Sequence, residues 1–347
     1  MTPGSAPLNV AVIGLGNAGV RHAEAYAGNK ACKLRWFHDT DEAKAEALAR
    51  DFGGVPVAKD YESILADGDV DIVSIASFDG DHFAQTIPAL SKGKNLFVEK
   101  PLCRSREEVN AVKAAWKEGG RPALDSNLMS RGSPLYNWLA TFVDRGGLGD
   151  IYAIDAEYWY GRLHKITDGW RTDVDHYSVM QGGAVHLMDV IFMLTGERPQ
   201  TVTAVGNRIC TEGTAFRYDD FVTATYRFPS SMIGRATANF GCVHRHQHIL
   251  RVFGTRATFL LDDAGPRLHT ARDNITSGLP EGASAAIPID IPYRPDHKGD
   301  LIPPFIDRIV MGEDSEPLLQ RNLDVISAII AADEALESGK EKTVDYA

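Results

Sequence analysis

The strongest constraint on the fold is a glycine-rich turn set between an apolar run and a helix-forming segment. Leu8 to Gly14 (LNVAVIG) is short, apolar and closed by glycine, which reads as a buried strand. Gly14-Leu15-Gly16-Asn17-Ala18-Gly19 follows, and Ala18 to Ala27 has helical character. The pattern G-x-G-x-x-G is weak alone. Here it leaves a strand and opens a helix, and Asp39 ends the next strand 20 positions after Gly19. That context points to a dinucleotide site rather than to a plain glycine turn and a surface Asp. Gly14 permits the tight turn, Gly16 lets the backbone approach a pyrophosphate, and Gly19 lets helix and strand pack closely. The helix start offers free N–H groups to phosphate. Asp39 would accept hydrogen bonds from ribose hydroxyls and repel a 2′-phosphate. No Arg or Lys follows at once (Thr40 and Asp41 do), so NAD is favoured over NADP.

The alternation continues. Lys33–His38, Val70–Ala76 and Asn95–Val98 read as apolar strands; Asp41–Phe52, His82–Lys92 and Glu107–Lys117 read as helices stopped by glycines. Apolar strands alternating with helices predict a doubly wound parallel sheet covered on both faces. The pattern changes near residue 125. Ile151–Tyr160, Phe221–Phe228, Ile233–Phe240 and Ile249–Phe253 alternate more cleanly and predict an α+β domain with a mostly antiparallel sheet, one face open. One helix, Ala184–Leu194, interrupts these strands, and another, Leu323–Ser338, closes the chain. Thr276–Lys298 reads as a long loop. A chain of 347 residues exceeds the ~250–300 at which one core stops growing. The expected division is 1–125 and 126–347, with the helix 323–338 packing back on the first domain.

Charge and cysteines narrow the class. Lys plus Arg is 36 and Asp plus Glu 47, a net −11, which disfavours nucleic acid as a partner. No apolar stretch approaches the ~20 residues of a membrane span. Met1–Asn9 reads as a short loose leader without the features of a signal peptide. Cys32, Cys103, Cys210 and Cys242 form no CxxC pair, so free thiols and a cytoplasmic location are expected.

Glu99-Lys100-Pro101 lies at the C-terminal edge of a parallel strand, where ligands bind in such sheets. A lysine before proline is pushed to extended backbone, and an X–Pro bond can be cis. A partly desolvated lysine there can trade protons with a hydroxyl; position alone fits a solvated surface lysine equally well. His186 and Asp189 share one face of the 184–194 helix. A neutral imidazole can take a hydroxyl proton, although a lone helical His is more often structural.

The segments GLGNAG at 14–19, GKNLFVEKP at 93–101, RGGLGDIYAI at 145–154 and GGAVHLMDVIFMLTG at 182–196 resemble the Gfo/Idh/MocA oxidoreductases, in order and over nearly the whole chain. The resemblance implies a Rossmann domain, an open-faced second domain that forms homodimers or homotetramers through its sheet, a nicotinamide cofactor and a sugar-like or inositol-like substrate. It makes Lys100 and His186 the catalytic pair, and puts Asp189, Arg171 and Trp170 (in DGWRTD) at the substrate. It extends the cofactor set from Gly14, Gly16, Asn17, Ala18, Gly19 and Asp39 to Ser77, His82, Glu99, Lys100 and Asn127, with Arg131 nearby. Many members carry an Asp four residues before the histidine; here that position is Gly182.

His244, His246 and His248 alternate, which on a strand points all three one way. A polar sheet face or a subunit interface is the expected reading, and no metal is expected. The combined expectation is an NAD-dependent dehydrogenase or reductase acting on a secondary alcohol of a sugar or polyol, with Lys100 and His186 over one nicotinamide. The alternatives are an NAD-dependent glycoside hydrolase of the same fold and a non-catalytic dinucleotide sensor.

Overall fold

Apolar runs in the first third become strands because both of their faces are covered. A computed structural model of the chain describes residues 6–271, 286–293 and 298–347. The elements run β1 (Leu8–Ile13), α1 (Asn17–Ala27), β2 (Cys32–His38), α2 (Glu42–Asp51), α3 (Tyr61–Ala66), β3 (Ile72–Ile75), α4 (His82–Ser91), β4 (Asn95–Val98), α5 (Arg106–Glu118) and β5 (Leu124–Ser126). The five strands form one sheet in the order β2-β1-β3-β4-β5, every pair parallel. All four residues of β3 are buried, which is why the run shows no polar alternation. Side-chain caps start three of the helices, α2, α3 and α5: Asp41 accepts from the Lys44 N–H, Asp60 from Ser63 and Ser105 from Glu108. The six-residue α3 had no legible period because it is too short to show one. Leu8 and Asn9, read as part of a loose leader, pair in β1 with Cys32 and Lys33; residues 1–5 of that leader lie outside the described residues.

The chain divides into two units. The described part of the first covers 6–129, 298–326 and Ala347; that of the second covers 130–271, 286–293 and 327–346. The first unit thus extends past residue 125 and takes back a C-terminal segment. The physical reason is burial. In the helix Ile302–Met311, Ile302, Phe305 and Ile306 enter one core with Val10, Tyr26, Phe37 and Phe97. The last long helix runs Glu316–Ser338, not from Leu323. Its first part belongs with the first unit, where Asn322 donates to Asp125 at 3.0 Å and Lys113 donates to Gln320 at 2.8 Å. From Ser327 it belongs to the second.

The second unit holds α6 (Pro134–Asp144), β6 (Ile151–Trp159), α7 (His164–Thr167), a wide turn Met180–Ala184, α8 (Val185–Thr195), β7 (Thr201–Asn207), β8 (Phe221–Arg227), β9 (Ile233–Asn239), β10 (Gln247–Gly254), β11 (Thr258–Leu261), β12 (Arg267–His269), β13 (Ala286–Pro288) and β14 (Lys342–Thr343). They build one sheet, ordered β13-β12-β11-β10-β6-β9-β8-β7-β14. All pairs are antiparallel except β6 with β9. Part of the expected loop Thr276–Lys298 is therefore a strand, β13; 276–285 and 294–297 lie outside the described residues. One sheet face is apolar and packs on helices, with the Tyr226 hydroxyl donating to Ala328 O at 3.2 Å. The other carries polar cross-strand pairs, Arg235–Asp155 at 3.1 Å and Arg251–Glu157 at 2.6 Å. No helix among the described residues is long and apolar enough to cross a membrane.

Phe305 is 1% exposed, Val205 67%. Phe305→Ala is expected to cost about 3–5 kcal/mol in chemical denaturation, and Val205→Ala less than about 0.5 kcal/mol. Near-equal costs would mean that Ile302–Met311 is not part of the first core.

Candidate active site

The turn after β1 is built for close approach. Gly14 has φ +78°, and a Cβ on it would lie 2.6 Å from the Ala76 and Ser77 backbone. A Cβ on Gly19 would lie 1.8 Å from Gly14 O, so only hydrogen fits there. Gly16, which caps α1, has nothing within 4 Å of its Cβ position. Open space over Gly16, at the free N–H groups of Asn17 and Ala18, suits a pyrophosphate. A cavity of about 340 Å³ continues from there, lined by Gly14, Gly16, Asp39, Lys44, Ser77 and Gln85. Asp39 accepts from the Leu15 N–H at 2.6 Å, the Asp41 N–H at 3.0 Å and Lys44 Nζ at 3.0 Å. Burial alone would raise its pKa; these partners hold it below the usual value. Lys44 was not anticipated, because it follows Asp39 by a turn of helix rather than directly. Ser77 Oγ donates to Gln85 Oε1 at 2.7 Å.

The Lys100–Pro101 bond is cis. Beneath Lys100 lies a polar group centred on Glu99. Asn127 Nδ2 donates to Glu99 Oε1 at 2.8 Å and to Lys298 O at 2.9 Å. His22, fully buried on α1, has Nε2 3.4 Å from Glu99 Oε1 and Nδ1 3.0 Å from Ser74 Oγ. Burial would raise the Glu99 carboxyl. The hydrogen bond and charge of His22, the Lys100 charge and Asn127 outweigh it and hold the group well below the ordinary carboxylate range. His22 escaped the sequence reading; its one signal is a polar residue on the α1 face that also buries Gly19, Ala23 and Tyr26. His82 is buried, with its nitrogens 2.8 Å from Pro101 O and 3.2 Å from Ser77 O. With one N–H on a neutral ring, it can donate to one of these two loop carbonyls at a time.

In the second unit the wide turn Met180–Ala184 leads into α8, whose buried residues face every side. His186 is 1% exposed and stacks on Tyr158 (6.1 Å) and His248 (6.4 Å). Asp189 does not stand ready for a substrate hydroxyl. Arg131 takes both of its oxygens, Nε to Oδ2 at 2.8 Å and Nη2 to Oδ1 at 2.9 Å. This buried bidentate pair fastens the turn Met129–Gly132 to α8. The space over Gly182 is filled: a Cβ there would meet the Tyr177 hydroxyl at 2.3 Å. Arg171 Nε donates to that hydroxyl at 2.9 Å, and the guanidinium lies 4.4 Å from the Trp170 ring. Arg171 thus holds a tyrosine, a partner that the spacing did not suggest.

The three alternating histidines do not point one way. His244 and His246 precede β10. His244 packs on Trp159 and has Nε2 3.0 Å from Asp263. His246 and His248 each stand 5.0 Å from Tyr158. Burial, with His246 and His186 adjacent, pushes the His248 pKa well below its usual value, so its ring is neutral at pH 7. Among the described residues no group of three His, Cys, Asp or Glu could hold a metal ion.

Asp333 braces the turn that carries Gly182. Ser178 Oγ donates to it at 2.7 Å and Gln181 Nε2 at 2.9 Å. Burial pushes its carboxyl up to about 7, against those two hydrogen bonds and with Glu337 and Glu334 adding to the rise. The unfolded chain releases this proton near pH 4. The stability contributed by the neutral carboxyl is therefore full below that pH and declines until pH passes about 7. Asp333→Asn cannot titrate, so its melting temperature should gain several degrees on the wild type between about pH 4 and about pH 8. A gap independent of pH would refute this.

Comparison with known proteins follows the same two units. A family model described as "Oxidoreductase family, NAD-binding Rossmann fold" matches residues 8–124, and the GFO/IDH/MocA C-terminal domain matches residues 136–260. Inositol 2-dehydrogenase 2 of Saccharopolyspora erythraea is 27% identical over 198 residues, 57% of this chain but only 56% of that protein. The scyllo-inositol 2-dehydrogenase (NAD(+)) of Bacillus subtilis is 28% identical over 259 residues, 72% of each chain. A levoglucosan dehydrogenase solved with NADH and L-sorbose shares the fold, with a TM-score of 0.83 at 22% identity over 98% of this chain and 99% of that one. With both of its domains matched, and with a glycine cradle that fits a dinucleotide after β1, the chain belongs to the GFO/IDH/MocA oxidoreductase family.

Proposed function

We propose that the chain is an NAD-dependent dehydrogenase or reductase acting on a secondary hydroxyl or keto group of a sugar, inositol or related polyol. The observation that carries this reading is the cradle, in which Gly14 and Gly19 admit no side chain while the space over Gly16 stays open. When bound, the nicotinamide would supply the hydride acceptor or donor. Asp39 supports NAD over NADP, because a carboxylate repels a 2′-phosphate. The dehydrogenase names of the inositol-acting relatives support the substrate class.

The residues have separate tasks in this reading. Lys100, beside the ionised Glu99, polarises the reacting oxygen. His186 takes or returns the hydroxyl proton. His248, held neutral beside it, adds no charge that would repel a proton from His186. Arg131 and Asp189 keep the helix that bears His186 in place.

The test is absorbance at the reduced-nicotinamide band with NAD and a panel of myo-inositol, scyllo-inositol, D-glucose, levoglucosan and p-nitrophenyl glycosides. At least one polyol should yield NADH. Lys100→Met and His186→Asn should each lower kcat by about 100-fold or more, with NADH binding retained. If both act on one hydroxyl, the double variant should be little worse than the poorer single one. Nitrophenol release without NADH would replace this reading by a glycosidase. Silence across the panel, with NAD still bound, would replace it by a dinucleotide sensor.

A further inference from the structure

In a dinucleotide fold, the carboxylate that ends the second strand accepts from a ribose 2′-hydroxyl and repels a 2′-phosphate. How far Asp39 can do either depends on the groups that already occupy it. An ionised carboxylate offers about four lone-pair sites on its two oxygens. At Asp39, Oδ2 accepts from the Leu15 N–H at 2.6 Å and from Lys44 Nζ at 3.0 Å, and Oδ1 from the Asp41 N–H at 3.0 Å. Oδ2 is thus filled, and Oδ1 has room for one more donor. Asp39 can hold one ribose hydroxyl where an unpaired carboxylate could hold a pair. The ammonium of Lys44 also offsets its charge, which weakens the repulsion of a 2′-phosphate.

Lys44 itself is less committed. Its side chain is 43% exposed, and an ammonium has three donors. Asp39 takes one; the others have no protein partner among the described residues. Lys44 lines the same cavity as Gly14, Gly16 and Asp39. Its backbone N–H is capped by Asp41 Oδ1 at 3.1 Å, which fixes the root of the side chain. Asp39, Asp41 and Asp81 face this one lysine in the cavity lining, so the balance stays negative and NAD keeps an advantage.

We propose that Lys44 sets the cofactor preference: it neutralises Asp39 and offers its remaining N–H groups to a 2′-phosphate, so that the protein takes NADPH as a second cofactor behind NADH. The inference rests on the dinucleotide reading of the cradle given above and narrows it. With NADH the Asp39–Lys44 pair stays intact, and Oδ1 serves the ribose. With NADPH the lysine adds charge-assisted bonds to the phosphate, which offset what repulsion Asp39 and its acidic neighbours retain.

The experiment titrates the full chain with NADH and with NADPH, following nicotinamide fluorescence, and needs no polyol. Wild type should bind NADH more tightly than NADPH by roughly tenfold. Lys44→Met should widen that ratio to about 100-fold or more, chiefly by losing NADPH. Lys44→Arg should keep the wild-type ratio, and Asp39→Ser should reverse it. Added salt should weaken NADPH more in wild type than in Lys44→Met, because an exposed charge pair is screened. A packing role alone would weaken both cofactors equally in Lys44→Met. A ratio unchanged in Lys44→Met overturns the proposal, as does a wild type that binds NADH and no NADPH. If Asp39→Ser does not fold, the two Lys44 variants decide it. Failure to bind either cofactor overturns the dinucleotide reading and this proposal with it. A shifted ratio in Lys44→Met, with the polyol panel silent, supports the lysine's role and overturns only the proposed reaction.

Discussion

A helix that approaches a strand more closely than any side chain allows organises the first unit. Gly19 meets the Gly14 carbonyl where a Cβ would stand 1.8 Å from the oxygen. That approach sets the start of α1 over the end of β1 and leaves the space above Gly16 open. It also places the rest of the helix. Three residues on, His22 lies buried against Ser74 and Glu99; one turn further, Tyr26 enters the core with Phe37 and Phe305. One steric fact thus links the cradle to the charge state of the group next to Lys100.

The second unit uses small residues in the same way for a different end. A Cβ on Gly183 would press the Tyr158 ring at 2.5 Å, and one on Gly182 the Tyr177 hydroxyl at 2.3 Å. Two glycines let aromatic rings come up to the turn before α8. Of these rings, Tyr158 stacks on His186, as does His248. The polar groups in this layer are balanced by pairing: Arg131 with Asp189, Arg171 with Tyr177, and Asp333 with Ser178 and Gln181. A charge or donor left alone there would be costly.

Much of the fold was legible because its signals are local. Strands β1, β3 and β4, the helices α1, α2, α4 and α5 and the fingerprint up to Asp39 follow from apolar runs, caps and glycines within a few residues of one another. The misses have physical causes. The Glu316–Ser338 helix starts earlier than its apolar period, since Pro317 in a first turn and the polar stretch Gln320–Asn322 disguise it. The helix Ile302–Met311 was not recognised, and nothing in its own residues says that it joins a sheet laid down at the start of the chain. His244 leaves the face of His246 and His248, which both reach Tyr158, and packs on Trp159 instead.

By itself the sequence determined a parallel nucleotide-binding sheet, its glycine cradle, the acidic residue at the end of β2 and a second, mostly antiparallel sheet. These depend on backbone sterics and on the period of burial, which act between neighbours in the chain. Tertiary structure alone decided the partners: Asp189 goes to Arg131, Lys44 to Asp39, His22 to Glu99, and the Tyr177 hydroxyl to the gap at Gly182. Side-chain partnership is set by which faces pack together, and packing between distant segments leaves no periodic trace in the residues that it joins.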